Sequence, residues 1–386
     1  MRALIRRELH GIWHDPWQLA LLSYIPLIGI LCLWWMFSAG IPRMLPVAVV
    51  DHDQSQTSRM LVRQLQASSV ISPRHYQDVL AAKSAMQQGQ AYAMVVLPHN
   101  LNRDLLRADQ PTIDIRYNSQ YLLVGKLLSS QIQLSLADGL KHKALLKQLA
   151  AGVPKPQAQV NINLLSSQTT ALYNSNSNYV VFLLPPILVA LGQLLAMLVF
   201  ANSLNRELRW STMAEWPRLG VIKLLSCKLL VNMSLLLLQG YLVLAFLYQY
   251  LQLPLAGSLW QLMAAQVAML TAVGLLVLVI FLLLQDSARV ISFCTALFAP
   301  GFPFMGITFP TEDMPALAQY WRVLMPSSHY IDTHVGVVSY GQPWAVLAQQ
   351  IAGYWGFLLL LPMAAGLILR LRKSSVSGPA AAGGIR

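Results

Sequence analysis

The apolar residues of this chain fall into one isolated run near the N-terminus, residues 19–37, a long mixed segment, and five further runs crowded into the second half. Hydrocarbon offers backbone N–H and C=O groups no water partners, so an apolar run of about 20 residues crosses it as a helix. The spacing predicts spans at 18–38, 178–203, 226–251, 258–284, 288–309 and 345–370. Only 11% of the residues are charged, against roughly a quarter in soluble domains. The expected fold is therefore a membrane all-α protein with six transmembrane helices. An α/β extracytoplasmic domain, residues 41–177, is inserted between helices 1 and 2. No long alternation of lipid-facing residues points to a barrel. The first run exceeds the 7–15 residues of a signal-peptide core, so it is read as a retained span.

Basic residues set the expected orientation. Arg2, Arg6 and Arg7 precede the first span, and Arg206, Arg209, Arg218, Lys223 and Lys228 surround the connection between spans two and three. Arg289 follows span four, and Arg370, Arg372 and Lys373 follow span six. The short opposite connections carry Arg322 against Glu312, Asp313 and Asp332. The positive-inside rule then puts both termini in the cytoplasm of an inner (plasma) membrane. The net charge of +12 is thus a topology signal. It speaks for no nucleic acid, because no basic-aromatic binding motif accompanies it. Cys32, Cys227 and Cys294 lie in or beside spans, without metal-ligand spacing.

Residues 1–17 read as an amphipathic interfacial helix, with Leu4, Ile5, Leu9, Ile12 and Trp13 on one face and Arg6, Arg7, His10 and His14 opposite. In the insert, strands are expected at 46–50, 91–97 and 112–117 and helices at 56–67, 77–88 and 120–150, an α/β alternation. The small residues of 371–386 read as a flexible cytoplasmic tail.

Chemistry-bearing patterns are few. Asp51-His52-Asp53 follows a strand, where its carboxylates suit a turn and helix cap better than a metal site. The insert holds no Glu, and His75, His99 and His142 lack catalytic spacing. Gly125-Lys126 is followed by Leu127, so no phosphate-cradling loop of the Gly-x-x-x-x-Gly-Lys-Ser/Thr type is present. The spans are nearly free of the charges an ion-coupled carrier needs. Their polar groups, Gln193, Asn202, Asn232, Gln239 and Gln266, suit interhelical hydrogen bonds or a lining. Residues 299–326 carry repeated prolines that break the helix between spans five and six, and 310–330 reads as an outer re-entrant segment.

At Gly306, Phe309-Pro310, Met314-Pro315 and Pro326 the chain resembles the bacterial ABC-2 type permeases, membrane subunits of type V ABC exporters. The order of interfacial helix, lone span, large insert opening with Val50-Asp51-His52-Asp53, and five spans resembles the drug-exporter-like subgroup. In that family an Arg-Glu-x-Gly-Thr run after span two engages the ATPase. The corresponding stretch lies in the loop 204–220, where Arg206-Glu207 and Thr212 fit and Ser211 replaces the glycine. The resemblance implies ATPase coupling through Arg206, Glu207, Arg209, Thr212, Glu215 and Arg218, with charges facing the partner and Trp210, Met213 and Trp216 under the membrane. Arg6, Arg7 and Trp13 would belong to the interfacial helix, and the Gly306 to Pro326 motif to an outer gate. Tyr179, Gln193, Ser292 and Thr295 would line a path for hydrophobic, lipid-like or drug-like cargo. Such a chain performs no bond chemistry and binds no cofactor, with ATP and magnesium held by ABC ATPase subunits. Further implied partners are a second permease subunit, like or unlike, a periplasmic adaptor, and membrane lipid. The competing reading is a membrane-anchored envelope sensor or assembly factor acting through its periplasmic domain.

Overall fold

The computed structural model describes residues 1–38, 40, 42–107, 111–157, 174 and 178–376. They form two compact units, one from residues 1–40 and 173–386, the other from 41–172.

The second unit is a four-stranded sheet in the order β2-β1-β3-β4, with strands β1 (Leu45–Asp51), β2 (Ile71–Tyr76), β3 (Ala93–Leu97) and β4 (Asp114–Tyr117). β1 pairs in parallel with β2 and β3, and β4 runs antiparallel to β3. A parallel strand covered on both faces reads as an unbroken apolar run, as in Pro46-Val-Ala-Val-Val50. Val47 and Val49 meet α4 (Gln56–Ala67) through Leu61 and Leu65, together with Leu128, Ile132 and Leu136 of α7 (Leu122–Ala150). Ala48 and Val50 meet Ala82 of α5 (Val79–Gln87) on the other face. A short α6 (Leu101–Leu106) follows β3. Ser55 caps α4 by accepting from the Thr57 and Ser58 amides. β2 was not expected from its sequence, because Pro73 interrupts it. An edge strand has one neighbour and tolerates the missing donor, and β2 is that edge.

In the first unit α1 (Arg2–Trp13) precedes a broken span, α2 (Pro16–Leu22) and α3 (Tyr24–Phe37). The break at Ser23 follows from Pro26, whose ring crowds the Leu22 carbonyl and cannot hydrogen-bond to it. The long helices α8 (Tyr179–Arg209), α9 (Val221–Ala245) and α10 (Leu259–Leu284) come next. α10 forms the centre, with Ala265, Val273, Val277 and Phe281 buried against α8 and its neighbours.

The remainder departs from the expected six spans. The region 288–309 is a 12-residue helix, α11 (Ser287–Phe298), and then a single turn at Gly301–Phe304. Twelve residues reach about 18 Å, short of a roughly 30 Å hydrocarbon layer, and Pro300 stops the helix from continuing. Within the region expected to be re-entrant, α12 (Ala316–Leu324) leads into α13 (Pro326–Tyr340), which runs well past residue 330 and is buried at Tyr330, Ile331, Thr333 and His334. Its Ser-, His- and Thr-rich sequence disguised a core helix. Residues 345–370 divide into α14 (Trp344–Ala352), a turn at Trp355–Leu358, and α15 (Leu360–Val376). The described residues thus hold four helices long and apolar enough to cross a membrane, or up to five when the pair bent by 44° between Trp344 and Arg370 counts as one.

Candidate functional site

α1 does not bury the face its apolar residues suggest. Leu4, Glu8, Gly11 and Ile12, spaced i, i+4, i+7 and i+8, turn toward α8 and α9. Ile5, Leu9 and Trp13, expected on the same face as Leu4 and Ile12, stay exposed. What draws Glu8 inward is a set of donors. Its Oε1 accepts from Arg206 Nη2 at 2.5 Å, Ser203 Oγ at 2.7 Å and Asn232 Nδ2 at 3.1 Å, and its Oε2 from Lys228 Nζ at 2.7 Å. A Cβ on Gly11 would stand 2.9 Å from Arg206 Cζ. The glycine is the passage through which the guanidinium reaches Glu8.

Lys228 carries the network onward. Its ammonium has three protons, and they meet Glu8 Oε2, the Ser203 carbonyl at 3.1 Å and Glu207 Oε1 at 3.0 Å. The other Glu207 oxygen accepts from Thr212 Oγ1 at 2.5 Å, Trp216 Nε1 at 3.1 Å and Arg7 Nη2 at 3.2 Å. On the far side Asn232 Oδ1 accepts from Gln18 Nε2 at 2.8 Å, and Gln18 Oε1 from Asn202 Nδ2 at 2.6 Å. Asp15 caps α2 through the Trp17 and Gln18 amides with one oxygen and accepts from Asn202 and Arg209 with the other. One connected polar junction therefore joins α1, α2, α8, α9 and the 212–216 turn.

Glu8, Arg206, Glu207 and Lys228 are each at most 4% exposed, two anions against two cations. Such a group is costly to desolvate and costlier to break, because a removed partner strands a buried charge. Burial opposes the charge on Glu8, but Lys228 and Arg206 outweigh it and hold the carboxyl below the usual glutamate range. The arrangement ties α1, the end of α8 and the following turn together through ion pairs and hydrogen bonds.

This geometry corrects two sequence expectations. Arg206 and Glu207 point into the junction rather than outward to a partner, and Trp216 is buried with them while Trp210 is exposed. Trp210 also lies 5.5 Å under the Arg206 guanidinium. Lys228 is a member of the buried network and no mere flank of a span. Outward-facing members of the expected set are Arg218 and Glu215, whose side chain is 60% exposed 3.6 Å from Arg7. Arg209 and Arg6 are exposed. Glu8, Asp15 and Gln18 were missed, although a lone acid on the α1 stripe of Leu4 and Ile12 was the available signal.

The other expected residues lie elsewhere. Gln193 is buried and its Oε1 accepts from the Ser327 amide at 2.8 Å, a seam between α8 and α13. Ser292 and Thr295 sit on an exposed face of α11, and the Tyr179 amide donates to the Gly40 carbonyl at 2.8 Å. Gly306 has φ +84°, and a Cβ there would meet Thr311 at 2.6 Å, so this turn requires glycine. Phe309 is exposed, Pro310 and Pro315 lie at the surface, Met314 is half-buried, and the buried Pro326 carbonyl accepts from Tyr354 Oη at 3.0 Å. In the α/β unit Asp51 Oδ1 accepts from the Asp53 and Gln54 amides, a turn, and among the described residues no His, Cys, Asp and Glu group suits a metal. Lys143 of α7 donates to Thr57 Oγ1 and Asn102 Oδ1, and burial pushes its ammonium below the ordinary lysine value, with Asp53 acting in the opposite sense.

Four to five candidate spans, a small mixed α/β unit and a charge-locked helix junction are the features of a multi-pass membrane protein. A family model described as ABC-2 family transporter protein matches residues 16–369, and the chain belongs to that family. Its members are membrane permeases, typically non-catalytic, that generally pair with ABC ATPase subunits. Comparison with curated proteins and with solved structures finds no match.

Proposed function

We propose that this chain is the membrane subunit of an ATP-driven exporter of the drug-exporter-like subgroup, moving a hydrophobic, lipid-like or drug-like substrate out of the cytoplasm or inner membrane. The observation that carries this reading is the junction. A separate ATPase delivers force at a cytoplasmic surface, and a buried ionic lock tying α1, α8, α9 and residues 212–216 together is what converts such a push into helix movement. In this reading both termini are cytoplasmic, two permease subunits pair, and Glu215, Arg218 and Trp210 meet the ATPase. Arg206 and Glu207 transmit within the subunit. The exposed Ser292 and Thr295 of α11 border the path, the Gly306 to Pro326 region forms its outer gate, and the α/β unit extends the path outside or recruits an adaptor.

The test is ATPase stimulation in a complex of the full-length chain with an ABC ATPase. Exposed charge contacts contribute up to about 1 kcal/mol each, so Glu215→Lys together with Arg218→Glu should cut coupling affinity about tenfold while elution of the permease itself stays unchanged. Stimulation equal to wild type, or a chain that recruits no ATPase at all, overturns the reading.

A further inference from the structure

Between α8, α9, α10 and α13, away from the ionic junction, lies a cavity of about 60 Å³. Leu188, Val243 and Met269 are among its apolar lining, and Gln239, Gln266, Tyr330 and His334 are its polar members. His334 is already engaged, its Nε2 lying 2.7 Å from Tyr248 Oη. The two glutamines are not: the side-chain carbonyl oxygens of Gln239 and Gln266 are buried and accept no hydrogen bond. Sequence offered such residues interhelical hydrogen bonds or a lining, and Gln193, Asn202 and Asn232 make the hydrogen bonds. These two instead turn unpaired acceptors on an apolar space, which a buried carbonyl tolerates poorly.

The backbone around them is cut back to make the room. Gly240 of α9 faces Gln266, and a Cβ there would collide with the Gln266 amide. Gly192 of α8 lines the cavity, and a Cβ there would meet nothing within 4 Å. Pro185, also in the wall, and Pro186 deprive the Val181 and Phe182 carbonyls of their helical donors. A water needs about 10–15 Å³ by the same measure and two to four polar partners. Several waters would fit by volume, but most lining residues are apolar, so only waters beside Gln239, Gln266 and Tyr330 find polar partners.

We propose that this cavity is a ligand site within the single subunit, and that it takes a compact apolar alcohol. The hydrocarbon packs on Leu188, Val243 and Met269, and the hydroxyl bonds the free amide ends of Gln239 and Gln266. A hydroxyl both donates and accepts, so it satisfies either amide without a fixed charge, whereas an ion would enter this wall unpaired. The site is separate from the path proposed along α11 and from the ATPase-facing surface, so it stands or falls without them.

Photolabelling tests it in the full-length protein in lipid nanodiscs, with a diazirine-bearing hexanol as probe and a diazirine-bearing hexane as its hydroxyl-free control. Peptide mass spectrometry should place hexanol adducts in 239–247 and 330–334, displaced by unlabelled hexanol. Gly192→Leu fills the space and should abolish them, whereas Gly192→Ala should keep most. Gln239→Leu with Gln266→Leu sacrifices no protein hydrogen bond made by either carbonyl, so it carries the test even should Gly192→Leu not fold. It should reduce the alcohol's labelling about fivefold, the worth of one hydrogen bond, and leave the alkane's unchanged. Adducts that survive Gly192→Leu, equal labelling by alkane and alcohol, or no displaceable adducts at all (a cavity holding water only) each overturn the proposal.

Discussion

At the scale of single residues, Glu8 decides how the N-terminal helix docks. Its four acceptor contacts tie one buried acid of α1 to side chains of α8 and α9. Glu8→Gln removes an anion, taking from Arg206 its carboxylate partner and leaving Lys228 with Glu207. A buried pair broken from one side costs about 3–5 kcal/mol, so the variant should unfold at a clearly lower temperature in detergent. Adding Lys228→Met restores the balance of buried charge. The double variant should therefore recover at least about 1 kcal/mol relative to the sum of the singles. Additive losses would show that charge pairing is not what holds the junction. The same carboxyl sets a pH dependence. Its value is depressed in the folded chain, so its contribution is complete above about pH 4.3, the ordinary glutamate value, and fades as pH falls through the depressed one. Thermal stability should be flat from this source between pH 7 and 5 and drop on further acidification, with a shallower acid limb in Glu8→Gln.

Elements were legible where one physical rule dominated and obscured where two competed. Apolar length located α3, α8, α9 and α10, and short apolar runs between helical stretches located β1, β3 and β4. The edge strand β2 was hidden by Pro73, and α13 by Ser327, Ser328, Thr333 and His334, polar side chains that only packing against α8 and α10 could bury. The region 288–309 is apolar enough to span, yet Pro300 limits it to α11, so apolarity overstated what the backbone could do. At the junction, sequence named Arg206, Glu207 and Thr212 but had them facing outward, because nothing local says that Glu8 lies 198 residues away in sequence and one hydrogen bond away in space. The docking of α1 depends on the passage at Gly11, which yields a prediction at this scale. Gly11→Val places side-chain atoms on the Arg206 guanidinium. Overpacking of this kind costs about 1–3 kcal/mol, and it should release α1. Amide exchange of residues 2–13 should accelerate while that of α10 stays slow. Unchanged protection of α1 would mean that its exposed Ile5 and Leu9 hold it in place without the junction.

For the molecule as a whole, the chain is two units with different stabilising rules. The helical unit depends on buried ion pairs and interhelical seams, and the α/β unit on ordinary two-faced sheet packing. That second unit contains no cysteine, so no disulfide closes it, and its strands, helices and both cores are drawn from one continuous stretch of chain. A segment that buries its own sheet on both faces meets the conditions for folding alone. The fragment 42–157 should therefore express as a soluble domain and unfold in urea in one cooperative step, with a stability in the usual range of about 5–15 kcal/mol. Leu61 is fully buried between β1 and α7 and touches the would-be Cβ of Gly139 at 2.8 Å. Leu61→Ala should then lower that stability by about 2–5 kcal/mol. Lys83→Ala, on the exposed face of α5, should change it by less than about 0.5 kcal/mol. A fragment that stays unfolded, or one as indifferent to Leu61→Ala as to Lys83→Ala, would show that the sheet needs the helical unit to form.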